Sequence, residues 1–455
     1  MIISSIDLQG GKVVQLKNGR DLVLEWDNPA ELLAKFDRYG ETAIIDLDAA
    51  RGQLNGGGTT ANTAILTSLL SRGSVRVGGG IRTVKQARHL VSLGAEKVII
   101  GSQAFLAPST GSGTEGSDSG GAIGAGLPAG QGVCEKKWLN TGFLQELNDA
   151  IGKQRVIIAV DAIRGNIAVK GWTETTGIPL IDGAREAEKY AGELLFTSVE
   201  NEGCMHGTDL ALVKRLRDAV SCSLTAAGGV ASVEEAAELA RWGVDVQMGM
   251  ALYTGKVGLA EGFIACLNWE KTKLMPVIAQ SNAGEVLMLG FANRETLAKT
   301  FATGRLTFWS RTRNRLWTKG ETSGSFLEVV RLRADCDRDT VLATVIPHGP
   351  VCHRGSWNCF SSEGMEKSTL ERLQGIIAER FAHPTVESYT ATLDGVRVRE
   401  KIAEEAAELA AAAEKRDVVW ECADLLYFVS VLMYKEGIQW CDVLRELDRR
   451  HKEKG

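Results

Sequence analysis

The sequence predicts a multidomain protein: an α/β (β/α)8 TIM barrel, then a β-rich α+β unit, then an all-α unit. Three observations predict it. Over residues 1–266, eight short and near-continuously apolar runs alternate with helical stretches, as parallel strands buried on both faces do. A segment of this region recurs in a second copy, the mark of a repeated structural unit. Beyond it the composition turns strand-rich over residues 267–364 and then helix-forming over residues 365–455.

The candidate strands are Ile2–Leu8, Thr42–Leu47, Val75–Gly79, Lys97–Ser102, Val156–Asp161, Leu194–Val199, Leu224–Gly228 and Val246–Met250. Eight strands with helices between them fit a closed barrel or an open doubly wound sheet, and the repeat favours the barrel. Gly79-Gly80-Ile81-Arg82-Thr83-Val84, with Ala87, Leu90 and Gly94 following, matches Gly228-Gly229-Val230-Ala231-Ser232-Val233 with Ala236, Leu239 and Gly243. Two related half-barrels follow, in which Asp7 and Asp161, at the ends of the first and fifth strands, are counterparts. Residues 107–133 are a low-complexity Gly/Ser insert expected to be disordered, and a helix is expected near Trp138–Ile151. Domain boundaries are expected near Leu267–Pro276 and Ser361–Lys367. In the tail, Arg399–Lys415 and Val418–Lys435 are rich in Ala, Glu and Leu and predict long helices.

The formal net charge of −5 with 24% charged residues offers no basic field for nucleic acid or an anionic membrane. Phosphate binding must then be local, and the expected partners are small molecules. The N-terminal Met1-Ile2-Ile3-Ser4-Ser5-Ile6-Asp7 lacks the basic start and apolar core of a signal peptide, and no apolar run is long enough to span a bilayer. A cytoplasmic protein is expected. Nine cysteines, an odd number and mostly scattered, suit reduced thiols plus a metal site better than a disulfide framework.

The densest chemistry is Asp335-Cys336-Asp337-Arg338-Asp339, followed by Gly349-Pro350-Val351-Cys352-His353 and Cys359-Phe360. Three cysteines, 336, 352 and 359, supply soft thiolates and leave a fourth tetrahedral position open, as catalytic zinc requires. The three aspartates alternate along an expected strand, so that Asp335, Asp337 and Asp339 share one face as hard oxygen ligands suited to magnesium while Cys336 faces the other way. The plain alternative is three core cysteines and a solvated acidic turn.

Over residues 273–360 the chain resembles the phosphoribosyl-AMP cyclohydrolases. The resemblance runs through Leu289-Gly290-Phe291-Ala292-Asn293, Phe308-Trp309-Ser310-Arg311-Thr312-Arg313, Leu316-Trp317-Thr318-Lys319-Gly320-Glu321-Thr322-Ser323-Gly324 and the cysteine and aspartate segments above. It implies hydrolytic opening of a purine ring at N1–C6, zinc on Cys336, Cys352 and Cys359 with ligands drawn from both subunits of a homodimer, and magnesium on Asp335, Asp337 and Asp339. It also implies substrate contacts from Trp309, Arg311, Lys319, Thr322 and Ser323. His353 is then a proton shuttle or a group that merely orients a metal ligand.

The tail carries Lys401-Ile402-Ala403-Glu404-Glu405-Ala406-Ala407-Glu408 and Glu421-Cys422-Ala423-Asp424-Leu425-Leu426-Tyr427. Spacings of three and four put Glu404, Glu405 and Glu408 on one helix face and Glu421 and Asp424 on another. Carboxylates against the apolar Leu425, Leu426, Phe428, Val429 and Leu432 are costly without a cation, though acidic runs on Ala-rich helices are often only solvated surface. Residues 369–450 resemble the phosphoribosyl-ATP pyrophosphatases, also through Ser388-Tyr389-Thr390, Leu393 and Gly395. The resemblance implies that these five acids hold magnesium on a triphosphate.

Residues 1–265 resemble the histidine-pathway barrels, and more closely the phosphoribosylformimino-AICAR ribotide isomerase, which converts a ring-opened aminoaldose into its aminoketose. The matching segments include Ser5-Ile6-Asp7-Leu8, Asp46-Leu47-Asp48, Val77-Gly78-Gly79-Gly80-Ile81-Arg82, Ile100-Gly101-Ser102, Asp161-Ala162-Ile163-Arg164-Gly165 and Val169-Lys170-Gly171-Trp172. An Amadori rearrangement needs an acid at the ring oxygen and a base at C2, roles for which Asp7 and Asp161 are the candidates. Gly80, Gly101, Ser102, Gly229 and Gly249 would bring backbone N–H groups to the two phosphates of the substrate. Glu202-Gly203-Cys204 departs from the aspartate, glycine and threonine usual after the sixth strand. An inactive barrel, serving as scaffold or regulator of a bifunctional enzyme, is the alternative to a third activity. A non-catalytic, metal-dependent dimerisation module is a further one.

Overall fold

The computed structural model describes residues 1–17, 19–55, 58–70, 72–105, 138–360, 370–384, 389–440, 442–444, 446–447 and 450. The insert expected at 107–133 and the boundary expected at Ser361–Lys367 lie outside these residues. The strands in chain order are β1 (Ile2–Gln9), β2 (Lys12–Lys17), β3 (Asp21–Trp26), β4 (Thr42–Asp46), β5 (Val75–Gly78), β6 (Lys97–Ile100), β7 (Val156–Ala159), β8 (Ala162–Ile163), β9 (Asn166–Val169), β10 (Glu174–Pro179), β11 (Glu193–Thr197), β12 (Ser223–Ala227) and β13 (Val244–Met248).

The main sheet runs β13-β12-β11-β7-β6-β5-β4-β1, and β13 also pairs with β1 in parallel, Ile2 opposite Val246. Eight parallel strands therefore close into a barrel, with β2 and β3 added as an antiparallel hairpin on β1. Strand alternation sorts the side chains: Ile99, Ile157, Ala159, Leu195 and Ala227 pack together as one cluster, while their neighbours Val98, Ile100, Val156, Ile158, Leu194 and Ala226 belong to the larger core shared with the helices. The sequence repeat is a structural one. Thr83 caps the helix Val84–Ser92 through Gln86 N–H, and Ser232 caps Val233–Arg241 through Glu235 N–H. Gly80 and Gly229 have φ of +68° and +88°, and a Cβ on either would meet neighbouring residues at 2.6 Å and 2.5 Å, so each copy needs glycine there. At the start of the strands a buried charge cluster fills the interior: the Arg76 guanidinium bonds Glu193 and Glu41, and Lys97 Nζ lies 2.7 Å from Glu193 Oε2.

The later strands are β14 (Met275–Ser281), β15 (Val286–Ala292), β16 (Thr307–Ser310), β17 (Arg315–Thr318), β18 (Leu327–Ala334) and β19 (Val341–Pro347). They form a four-stranded sheet, β15-β14-β19-β18, and a β16-β17 pair. The described chain divides into two compact units, one of residues 1–277, 291–316 and 331–342, the other of residues 278–290, 317–330 and 343–455. Within the first unit, Arg331 and Arg333 both grip Asp37 at the end of the helix Pro29–Asp37. Tyr39 stacks on Phe301 at 4.8 Å between ring centroids, and Phe301 meets Phe263 edge-on. The second unit contains the helices Leu370–Ala382, Gly395–Ala411 and Lys415–Lys435, whose apolar faces meet at Ile377, Val398, Phe428 and Val431, joined by Leu393. Among the described residues no helix is long and apolar enough to cross a membrane.

One expectation is corrected. Residues 335–339 are not a strand but the turn joining β18 to β19. Arg338 adopts φ of +63° there, and Asp335 Oδ1 accepts from the backbone N–H groups of Asp339 and Thr340 at 2.9 Å and 3.1 Å. A short polar side chain that can bond its own following backbone stabilises a turn against an extended ladder. The alternation that was to place Cys336 on an opposite strand face is therefore absent.

Candidate active sites

In the barrel mouth, β1 carries Asp7, and Ser5, two residues earlier on the same strand face, donates its hydroxyl to Asp7 Oδ1 at 2.9 Å. Asp161 lies just beyond β7, where the indole N–H of Trp172 donates to its Oδ2 at 2.7 Å. Both carboxyls retain an edge of solvent contact but are crowded by protein. Burial pushes Asp7 up to about 6, with Ser5 opposing, and burial also raises Asp161 against the hydrogen bonds from Trp172 and Thr197. Glu202, in the loop after β11, is pushed up to about 8, first by burial and then by the charges of Asp7 and Asp161. Three like charges so close in a low-dielectric mouth cannot all ionise near neutral pH, and the group titrates as a coupled set. Tyr253 donates its hydroxyl to Ser5 O at 3.0 Å, and burial followed by the Asp7 charge keeps that phenol protonated.

Glu202, Gly203, Gly229, Gln247 and Gly249 line one cleft, so two of the five expected phosphate-binding positions meet beside the departing loop. Gly203 has φ of +70°, and a Cβ there would lie 2.4 Å from Leu16 O. Glycine thus lets the loop close against β2, which keeps Glu202 near Asp7 and Asp161 despite its extra methylene. Gly101 has open space around it, and the Ser102 hydroxyl accepts from Lys170 N–H at 2.6 Å. Ser5 and Trp172 lie in segments that carry the resemblance but had no role assigned from the sequence, and neither had Thr197 or Tyr253. Only Ser5, at i−2 from Asp7, left a periodicity signal.

In the first unit, Asp335, Asp337 and Asp339 bring ligating oxygens within 4.8 Å of one another on the β18–β19 turn. Lys271 pairs with Asp337 and lies 3.0 Å from Asp339 Oδ2. Its hydrogen bond holds the Asp337 carboxyl below the usual range. Cys336 is exposed on the same turn. Trp309 is half-buried, and the exposed Arg311 guanidinium lies 3.9 Å from the centre of the Phe291 ring.

In the second unit, Cys352 and Cys359 stand within hydrogen-bonding reach of each other. Hydrogen bonds led by Ser356 draw the Cys352 thiol down, while burial pushes Cys359 up. Lys319 is 6% exposed; burial lowers its ammonium, and the two thiols beside it pull the other way. A buried cation next to thiols favours their thiolate forms. His353, Thr322 and Ser323 are exposed.

The helices Gly395–Ala411 and Lys415–Lys435 form a hairpin that brings ligating oxygens of Glu405, Glu408 and Glu421 within 4.8 Å of one another. Glu405 is buried and bonds Lys401 Nζ at 2.9 Å. Glu421 Oε2 is buried without a hydrogen-bond partner. Burial first, and then the charge of Glu408, push its carboxyl up. An orphaned carboxylate oxygen facing two others is what a divalent cation would satisfy. Asp424 lies close enough to add its charge to Glu421. Glu404 is exposed and pairs with the same Lys401 as Glu405, and it is not among the three carboxylates that gather.

Comparison with known proteins finds three family matches along the chain. The Histidine biosynthesis protein family matches residues 1–115 and 133–258, more than half of the chain. Phosphoribosyl-AMP cyclohydrolase matches residues 288–361, and Phosphoribosyl-ATP pyrophosphohydrolase residues 370–451. The chain is 43% identical over 202 residues to the Histidine biosynthesis bifunctional protein HisIE of Photobacterium profundum, covering 98% of that protein and 41% of this chain. It is 45% identical over 194 residues to the protein of the same name from Escherichia coli K12, covering 96% of it and 41% of this chain. The Pasteurella multocida protein is 46% identical over 199 residues, with 98% of it and 41% of this chain covered. Taken with the closed barrel, the turn and the helical hairpin, these matches make the chain a multifunctional enzyme of histidine biosynthesis, belonging to the histidine biosynthesis barrel family and to the cyclohydrolase and pyrophosphohydrolase families of the same pathway.

Proposed function

We propose that residues 365–455 hydrolyse phosphoribosyl-ATP to phosphoribosyl-AMP and pyrophosphate, residues 267–364 open the purine ring of that product, and the barrel of residues 1–266 isomerises the resulting aminoaldose. The order along the chain is then the reverse of the order of reaction. The observation that carries the reading is the separation of three donor chemistries: crowded carboxyls raised towards neutral pH, a thiol pair beside a buried lysine, and clusters of hard oxygen donors.

In the barrel, Asp7 with its elevated affinity for protons suits the acid that protonates the ring oxygen. Asp161, oriented by Trp172, suits the base at C2. Glu202 supplies a third carboxyl that takes up a proton when the other two are ionised, which favours an active barrel over a scaffold. Gly80, Gly101, Ser102, Gly229 and Gly249 are assigned to the phosphates.

Soft thiolates fit zinc, and Cys352 and Cys359 with Cys336 are its proposed ligands, drawn from two subunits of a homodimer. Asp335, Asp337 and Asp339 fit magnesium by their oxygen donors and mutual spacing. Glu405, Glu408 and Glu421, with Asp424, fit a second magnesium site for the reason that Glu421 has an unsatisfied buried oxygen. When bound, zinc activates water and magnesium neutralises phosphate charge. Lys319 beside the thiols, and Trp309, Arg311, Thr322 and Ser323, are assigned to holding substrate, with His353 moving a proton. A pathway enzyme with reduced cysteine ligands fits the cytoplasm.

The test is to supply phosphoribosyl-ATP with magnesium and zinc and identify each intermediate by chromatography. Cys352→Ser should arrest the sequence at phosphoribosyl-AMP, and Glu405→Gln should leave phosphoribosyl-ATP unconsumed. Normal turnover by either variant would show that its site is wrongly assigned.

A further inference from the structure

We propose that Lys271 is a built-in competitor for the divalent cation of the acidic turn, so that metal entry evicts a lysine supplied by the segment leading from the helix Leu259–Ala265 to β14. The inference rests on the reading of Asp335, Asp337 and Asp339 as that cation's ligands. Lys271 Nζ already engages two of the three: it bonds Asp337 Oδ2 and lies 3.0 Å from Asp339 Oδ2. These are carboxylates whose oxygens lie within 4.8 Å of one another and of Asp335. A divalent ion held by all three and an ammonium bridging two of them compete for the same carboxylate groups. Magnesium demands oxygens at about 2.1 Å in near-octahedral array, whereas an ammonium donates three hydrogen bonds with loose directionality.

The lysine is delivered to this place by backbone geometry. Asn268 N–H donates to Arg338 O at 2.7 Å, and Asn268 Nδ2 donates to Asp337 O at 3.4 Å, so the segment three residues before Lys271 is fastened to the turn itself. The Arg338 guanidinium in turn bonds Ala240 O and lies 2.7 Å from Asp245 Oδ1 on β13. The turn keeps its shape independently of Lys271, because Asp335 is bonded to the N–H groups of Asp339 and Thr340. Removing the ammonium therefore leaves the three carboxylates presented. The pair is also easily broken, since the Lys271 and Asp337 side chains are 48% and 51% exposed, and exposed ion pairs are weak. Eviction then lowers the metal affinity by a modest factor rather than abolishing binding.

The test is a titration of the full-length protein with manganese, a paramagnetic stand-in for magnesium, following free ion by electron paramagnetic resonance. The sites lost in Asp335→Asn identify the turn. Lys271→Met should tighten the Asp335-dependent site by roughly two- to fivefold, the scale of one exposed ion pair removed from a solvated cluster. Lys271→Arg should stay near the wild-type affinity. An unchanged or weaker Asp335-dependent site in Lys271→Met overturns the proposal while leaving the ligand assignment standing. If Asp335→Asn removes no site in either background, the ligand assignment fails and the competition falls with it.

Discussion

The barrel mouth and the acidic turn each gather three carboxyl groups, and they resolve the repulsion in opposite ways. In the mouth, burial drives Asp7 to about 6 and Glu202 to about 8, so a proton supplies the missing positive charge. On the turn, solvent and Lys271 hold Asp337 in its ionised form, so a cation supplies it. Identical functional groups thus favour a bound proton where water is scarce and remain charged, as the proposed metal ligands must, where it is plentiful. Sequence spacing does not distinguish the two, since exposure decides.

The largest expected effect tests the proton-carrying side of this contrast. Asp7→Asn should lower the isomerisation rate by about 10²–10⁴-fold while leaving both hydrolytic steps intact in the same preparation. Equal loss in all three would mean that the mouth is structural. Next, Glu202 favours its protonated form in the folded chain, rising from 4.5 to about 8. Its contribution to stability is present below pH 4.5 and is lost as pH rises towards 8. Glu202→Gln should escape that loss, becoming more stable than wild type by about 1–3 kcal/mol at alkaline pH, with the gap closing in acid. Urea midpoints across the pH range measure it, and parallel curves would break the contrast. The smallest effect concerns salt. Screening acts over about 8 Å at physiological ionic strength, so added salt should shift the magnesium half-saturation of the cyclohydrolase step severalfold. The acid limb of isomerisation should scarcely move.

Much of the barrel was legible because its strands are buried on both faces and therefore spelled in unbroken apolar runs. The last strand was expected at Val246–Met250 and lies at Val244–Met248, because pairing of Val244 with Leu224 begins before Gln247 interrupts the run. The tail helix starts at Gly395 rather than Arg399, since Asp394 accepts from Arg397 N–H at 2.7 Å and caps it there. The segment from Asp335 to Asp339 misled because alternating short polar residues imitate strand periodicity while favouring a turn. The identities of the candidate acids could be read from spacing, but their partners could not. Trp172 reaches Asp161 through a loop, and Lys271 meets Asp337 and Asp339 across 66 and 68 residues. Glu202 was noticed as a departure, and only the loop held in by Gly203 reveals it as a neighbour of Asp7 and Asp161.

Arg338 has a bearing on how such a chain could ever come apart again. Its left-handed backbone sits inside the aspartate turn, while its guanidinium is spent on Ala240 and Asp245. Cutting the chain between the barrel and the turn would leave that arginine without Ala240 O and Asp245, and would leave Asp245 with the Met1 ammonium as its remaining ion-pair partner. Separation would therefore cost the turn a buried side-chain anchor that only the fused chain supplies.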